Sequence, residues 1–325
     1  MVKGIIPRGC PSRRILVALG KTMETHARTH APSRAPSLLA MWGTVLFWGL
    51  SFVASKTILN TGVPPMTMVT IRFVVATIIL NIFLRRLDPG ARLRRKDILP
   101  LLASGLCGVT IYFFFESRGI KLTSASHASL IIAVIPVVTV AAEAIFFRTR
   151  ISWIVGLGIA LSVIGVVLVV GRPTGSQSLA GDLFMFGACA AWVAYIILSK
   201  NLHTRLSDLA ITTYQAIFGT AFLVPLCLLE HAQWVPITPA AWISLAYLAV
   251  FCSALSNFLY VYALSRLGPI SVSPYVNLIP VVGVLGGVAL LGETIVWTQV
   301  LGGVVILAGV ILVTRRQPAG PPIEG

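Results

Sequence analysis

The chain has 325 residues, of which 57% are hydrophobic and 11% charged, where a soluble domain carries roughly 25% charged residues. Most of it must sit in lipid, which excludes a water-soluble globular domain. The net charge of +15 does not point to nucleic acid either, because Lys and Arg gather in alternate loops between apolar blocks, as the positive-inside rule requires.

Residues 1–36 are rich in Arg, Pro, Ser and Thr with Glu24 as their sole acid, and read as a basic disordered leader. A transit peptide or a start codon misassigned upstream of Met23 or Met41 gives the same composition. Beyond it the apolar residues arrive in blocks of about twenty, the length a helix needs to cross roughly 30 Å of hydrocarbon. They predict spans at 38–56, 65–84, 98–117, 123–147, 151–170, 182–199, 209–228, 239–263, 270–291 and 295–314, followed by a short tail at 316–325. The runs Ile154 to Val170 and Val300 to Val313 do not alternate in polarity, so barrel strands are excluded. Ten spans put both ends on one side. With that side inside, 20 of the 25 Lys and Arg residues are internal, four are external and Arg72 lies within a span. The expectation is an integral protein of a bacterial cytoplasmic membrane with both termini cytoplasmic. Cys107, Cys189, Cys227 and Cys252 fall in spans and Cys10 in the leader, which is no disulfide or metal framework.

The sequence repeats itself at a period of 144 residues. Gly43, Trp48, Ser55 and Lys56 fall on Gly187, Trp192, Ser199 and Lys200, and Ile135, Pro136 and Val137 fall on Ile279, Pro280 and Val281. Ile151, Trp153, Gly158, Gly165, Leu168 and Val169 fall on Ile295, Trp297, Gly302, Gly309, Leu312 and Val313. The second span is the weak point, since Thr70 and Arg72 meet Thr213 and Gln215 only after a one-residue slip. Each half, 38–171 and 182–315, holds five spans, and an odd number forces the second half into the membrane upside down relative to the first. The fold class is all-α and polytopic, ten helices as two inverted five-helix repeats, an arrangement that suits alternating access at the repeat interface.

The stretch Trp48 to Lys56, Arg72, the stretch Leu122 to Val137, its counterpart Ser271 to Val281, Leu291-Gly292-Glu293, and Trp297 with Gly309 resemble the drug/metabolite transporter superfamily, and within it proteins with two EamA domains. The resemblance covers about residues 38 to 315 and implies that spans one, three, four, six, eight and nine surround a substrate. One departure stands out: members often carry Glu before the proline of the ninth span, and Ile279 removes any role for that acid here.

Polar groups inside spans cost about 2.5 to 3.5 kcal/mol per charge on insertion scales, so they are functional candidates. Trp48, Ser51 and Ser55 share a helix face, and Trp192, Tyr195 and Ser199 form the same stripe in span six. Tyr112 and Glu116 share a face of span three, and Ser253, Asn257 and Tyr260 share one in span eight. Trp48, Ser51, Tyr112, Glu116, Trp192, Tyr195, Asn257 and Tyr260 are therefore the substrate-binding candidates. For the tryptophans the alternative is packing or interfacial anchoring; for span eight it is helix-to-helix hydrogen bonding. Glu116 and His127 are the coupling candidates, able to exchange a proton or meet a substrate charge. For Glu116 the competing expectation is an ion pair with Arg118 or Lys121 at the outer surface. Arg72 and Gln215 read as helix bridges or caps of neighbouring carbonyls, with direct binding of an anionic group as the alternative for Arg72. Glu143 reads as a partner of Arg148 or Arg150, and Pro136 and Pro280 as helix bends. The pairs Gly158/Gly165 and Gly302/Gly309 read as sites of close helix contact.

Ten acids, five histidines and no HExxH or GxxxxGK[ST] motif give little material for a membrane enzyme or a nucleotide-driven pump. The functional expectation is a secondary transporter for a small neutral or zwitterionic metabolite such as an amino acid or nucleobase, working as an exporter by alternating access, with proton coupling, exchange or passive facilitation left open. No cofactor, metal or nucleic-acid partner is expected, only the solute and membrane lipids. A lipid-flipping or structural polytopic protein is the alternative.

Overall fold

The computed structural model describes residues 35–147, 151–170, 178–199, 202, 206–230, 237–267 and 269–315. All but two residues of the leader, the tail, and both Arg148 and Arg150 lie outside the described residues. Within them are ten helices long and apolar enough to cross a membrane: α1 (Ala35–Asn60), α2 (Pro65–Leu87), α3 (Arg95–Leu122), α4 (Ala125–Phe146), α5 (Trp153–Val170), α6 (Leu179–Ser199), α7 (Asp208–Leu229), α8 (Pro239–Leu264), α9 (Pro274–Leu291) and α10 (Trp297–Thr314). Helices are dictated because lipid offers no partner to a backbone N–H or C=O, so every such group must be satisfied inside the segment. Their starts follow local chemistry. Pro65 and Pro239 occupy first turns, where the missing N–H costs nothing, and the side chains of Ser124, Ser207 and Thr238 accept from the backbone N–H three residues on.

The packing obeys the inverted repeat. Helix α1 packs on α8 and α9, as α6 packs on α3 and α4; α2 packs on α8, as α7 packs on α3. Three pairs are their own partners under the exchange, α2 with α7, α4 with α9, and α5 with α10. The last pair is the tightest. A Cβ on Gly158 would stand 2.8 Å from the Gly309 carbonyl and one on Gly309 2.5 Å from that of Gly158, while Gly165 and Gly302 face each other's carbonyls at 2.7 Å in both directions. The close helix contact expected at these glycines is present. Trp153 and Trp297, repeat partners at opposite ends of this pair, are 78% and 75% exposed, as aromatic anchors at two membrane surfaces would be.

Four helices are irregular, in symmetric positions. Helix α4 divides into Ala125–Ile132 and Ile135–Phe147, and the α9 region into Pro269–Val276 and Ile279–Leu291. The two interrupting residues, 133–134 and 277–278, are themselves one repeat period apart. Pro136 and Pro280 each stand second in the helix that follows this two-residue turn. Helices α3 and α8 contain π turns at Leu106–Ile111 and Leu248–Leu255, and the repeat register lays the first on residues 250–255. Both ends of the described chain lie at the same end of the bundle, termed here the terminal end; the opposite one is the distal end.

Candidate functional site

Two aromatic walls each join side chains of both repeats. On the first, the Trp48 indole N–H of α1 donates to the Cys252 carbonyl in the α8 π turn (3.0 Å), and its ring lies 5.5 Å from that of Tyr260. On the second, Tyr112 of α3 contacts Trp192 of α6 (4.9 Å between centroids), and Trp192 contacts Tyr195 (4.9 Å). Tyr195 is seated over the α3 π turn, where only the missing side chain of Gly108 leaves room: a Cβ there would stand 2.5 Å from the ring. Gly108 and Cys252 are repeat partners, so span one and span six use the same spot of the two π turns. A π turn disturbs the regular ladder and is frequent at functional sites.

Glu116 is buried, and Tyr112 donates its hydroxyl proton to the Glu116 carboxylate at 3.0 Å. The competing expectation of an ion pair with Arg118 or Lys121 is overturned. Arg118 points to another face of the helix, lies over the Phe114 ring at 3.7 Å and reaches Glu230 at 4.0 Å. Arg72 approaches the same region from α2. Its Nε donates to Ser253 Oγ at 2.6 Å, and its guanidinium carbon lies 4.8 Å from the Phe113 ring centroid and 5.4 Å from that of Phe73. Its charge acts on both Tyr112 and Glu116.

Of the eight substrate-binding candidates, six thus line the two walls. Ser51 and Asn257 are half-buried beside them, but both turn a hydrogen back onto their own helix, Ser51 to the Trp48 carbonyl (2.6 Å) and Asn257 to the Ser253 carbonyl (2.6 Å). His127 stands apart. It lies at the distal end of α4, where its Nε2 is 2.8 Å from Asp182 Oδ1 of α6, the ring edge angled off a straight hydrogen bond, and its Nδ1 is 3.3 Å from the Gln299 amide of α10. Gln215 bridges helices, its amide donating to Ser104 and Ser199 at 2.9 Å each. Glu143 is half-buried near the terminal end of α4, and the arginines expected beside it fall outside the described residues. Among the described residues, no cluster of His, Cys, Asp and Glu could hold a metal ion.

The distal end closes on three charged side chains that sequence reading left without partners. Lys56 donates its ammonium protons to the carbonyls of Ile120 (3.0 Å), Lys121 (3.2 Å) and Thr123, capping the end of α3. Glu230 accepts from the N–H groups of Met66 (2.9 Å) and Thr67 (3.1 Å) at the start of α2. Glu293 accepts from the N–H groups of Ala125 (2.7 Å) and Ser126 (2.9 Å) and from the Ser126 hydroxyl (2.6 Å) at the start of α4. Charge and helix pole match in all three, anion at an amino end and cation at a carboxyl end. Gly292 aims the last of them. At φ +65° it adopts the left-handed cap that ends α9, and the chain turns Glu293 back across to α4. The Leu-Gly-Glu sequence was the available signal for this clamp.

Comparison with known proteins agrees with this architecture. Residues 35–171 and 179–315 each match the EamA-like transporter family. A Streptantibioticus cattleyicolor protein named "Probable terminal-alkyne amino-acid exporter" is 30% identical over 85% of this chain and 94% of its own length. A Salmonella typhimurium protein named "Probable amino-acid metabolite efflux pump" is 30% identical over 82% of this chain and 90% of its own. One solved crystal structure is alike in fold, with a TM-score of 0.61 and 18% identity over 88% of this chain and the whole of that one. With both repeats matched and ten apolar helices in place, the chain is an integral membrane protein that belongs to the EamA-like transporter family of the drug/metabolite transporter superfamily.

Proposed function

We propose that the protein is a secondary transporter that exports a small neutral or zwitterionic metabolite of amino-acid type by alternating access. It would work in a bacterial cytoplasmic membrane with its terminal end inside. The observation that carries this reading is the pair of aromatic walls, centred on the repeat-related Trp48 and Trp192 and each seated on a π turn. Repeats inverted about an axis in the membrane plane can exchange conformations, and a site on that axis then opens to one side or the other. The names of the two relatives support an amino-acid compound and the outward direction. The bias of Lys and Arg toward the terminal end supports the orientation.

The sequence holds no nucleotide-binding loop, so uphill transport draws on an ion gradient or on exchange. Glu116 beside Tyr112, and His127 beside Asp182, are the two places where a proton could be taken up and released. Flux through proteoliposomes, measured over a metabolite panel with and without a pH gradient, tests the function. Saturable movement of amino acids is expected, and folded protein that moves no solute would rule the reading out.

A further inference from the structure

Arg72 is 5% exposed inside a membrane-spanning helix, where a charge is expensive. The ion pairs between described residues join Arg118 to Glu230 and His127 to Asp182; Arg72 is in neither. One hydrogen bond, from Nε to Ser253, fixes the plane of the guanidinium, and two phenylalanine rings flank it. Its two terminal nitrogens meet no protein acceptor among the described residues. Neither of them is among the orphaned polar atoms sealed from solvent, as Nη1 of Arg118 and the Ser117 hydroxyl are. They are therefore unpartnered but not wholly sealed.

A helix bridge does not need this charge. Gln215, the repeat counterpart of Arg72, bridges α7 to α3 and α6 with a neutral amide whose two protons both find hydroxyls. Arg72 makes one such bond and leaves the arm of its fork that best fits a planar anion unused. Guanidinium and carboxylate pair through two parallel hydrogen bonds, an arrangement that a lysine or a glutamine cannot reproduce.

We infer that Arg72 is the anion anchor of the transport site: its terminal nitrogens hold the carboxylate of the solute while Ser253 sets their plane and the rings of Phe73 and Phe113 flank the ion pair. The inference rests on the central site carrying the solute, as proposed above. It adds that the solute must bear a carboxylate, and that Glu116 on the adjoining wall is positioned for an ammonium group of the same molecule.

The test is competitive flux in proteoliposomes with leucine, phenylalanine and tryptophan, each paired with its amide, which keeps the ammonium and side chain but has no carboxylate. Wild-type protein should prefer each acid over its amide. Arg72→Gln should lower that preference at least tenfold, and Arg72→Lys, which keeps the charge without the fork, should fall between the two. Ser253→Ala should raise the half-saturating concentration of the acids more than that of the amides. If Arg72→Gln does not fold, the lysine variant and thermal protection of the wild type by acid against amide carry the test. A wild type indifferent to the carboxylate, equal losses for acid and amide in a folded variant, or flux of some other solute but of none of these acids would each overturn the anchor. Only the absence of flux for every solute would bring down the transporter reading beneath it.

Discussion

The two ends of this bundle are built from the same repeat, yet they are fastened differently. At the distal end two carboxylates of the second repeat, Glu230 and Glu293, grip the helix starts of the first, and Lys56 ties α1 to α3. At the terminal end the repeat partner of Glu230 is Arg86, that of Glu293 is Thr149, and six basic residues lie between positions 85 and 96. Among the described residues, the strongest tie between repeats there is a single hydrogen bond from Ser207 to Asp88 (2.5 Å), with Tyr214 reaching the Ala91 carbonyl at 3.5 Å. In the alternating-access reading proposed above, symmetry would supply two exchangeable states and the departure from symmetry a preference between them. Two repeats that were identical would favour neither side; here the carboxylates that accept from helix-start N–H groups of the other repeat, Glu230 and Glu293, stand at the distal end, and in the transport cycle proposed above they would weight the balance toward a closed distal end.

Breaking the distal clamps should therefore matter more than breaking the terminal tie. Glu293→Gln removes a charge from three hydrogen bonds, and at about 1.5 to 3 kcal/mol for a charged bond, reduced for partial exposure, it should cost about 3 kcal/mol in thermal unfolding. It should also raise labelling of a cysteine placed at position 57 by membrane-impermeant reagents. Unchanged labelling would mean that the clamp is a cap and not a gate. Glu230→Gln, with two accepted N–H bonds, should cost about 2 kcal/mol on the same scale. Asp88→Asn at the terminal end should cost under about 1 kcal/mol, as an exposed polar contact does, and should leave distal labelling as it was. The smallest effect sharpens the comparison from the symmetric side: Trp153→Leu and Trp297→Leu should cost the same, about 0.5 kcal/mol or less. A clear difference between them would show that the ends already diverge at the membrane surface.

Most of the fold was legible because apolar length and a 144-residue period survive in the amino acids themselves. Gly158, Gly165, Gly302 and Gly309 even announced the closest helix contact. The irregular backbone was hidden. A π turn changes which carbonyl each N–H meets, and the sequences LCGVTI and LAVFCSAL carry the same apolar content an α-helix would. For Glu116 it was the competing ion pair that failed: residues two apart on a helix point to nearly opposite faces, so Arg118 reaches Glu230 while Glu116 is buried against Tyr112. For Arg72 the sequence leaves a helix bridge and an anion site side by side, and only the structure separates them, by setting its single bond to Ser253 beside the satisfied amide of Gln215. The partners of His127 were beyond reach, since Asp182 and Gln299 lie on two other helices and have no repeat equivalents that a pattern could expose.

The π turns have one further implication. Each holds one residue more than the surrounding helix needs, and such a surplus can be handed along the chain from turn to turn like a dislocation through a crystal row. One residue at 3.6 per turn corresponds to about 100° of rotation. Were the surplus in α3 or α8 to pass Glu116 or Tyr260, that side chain would turn by this angle at the level of the aromatic walls.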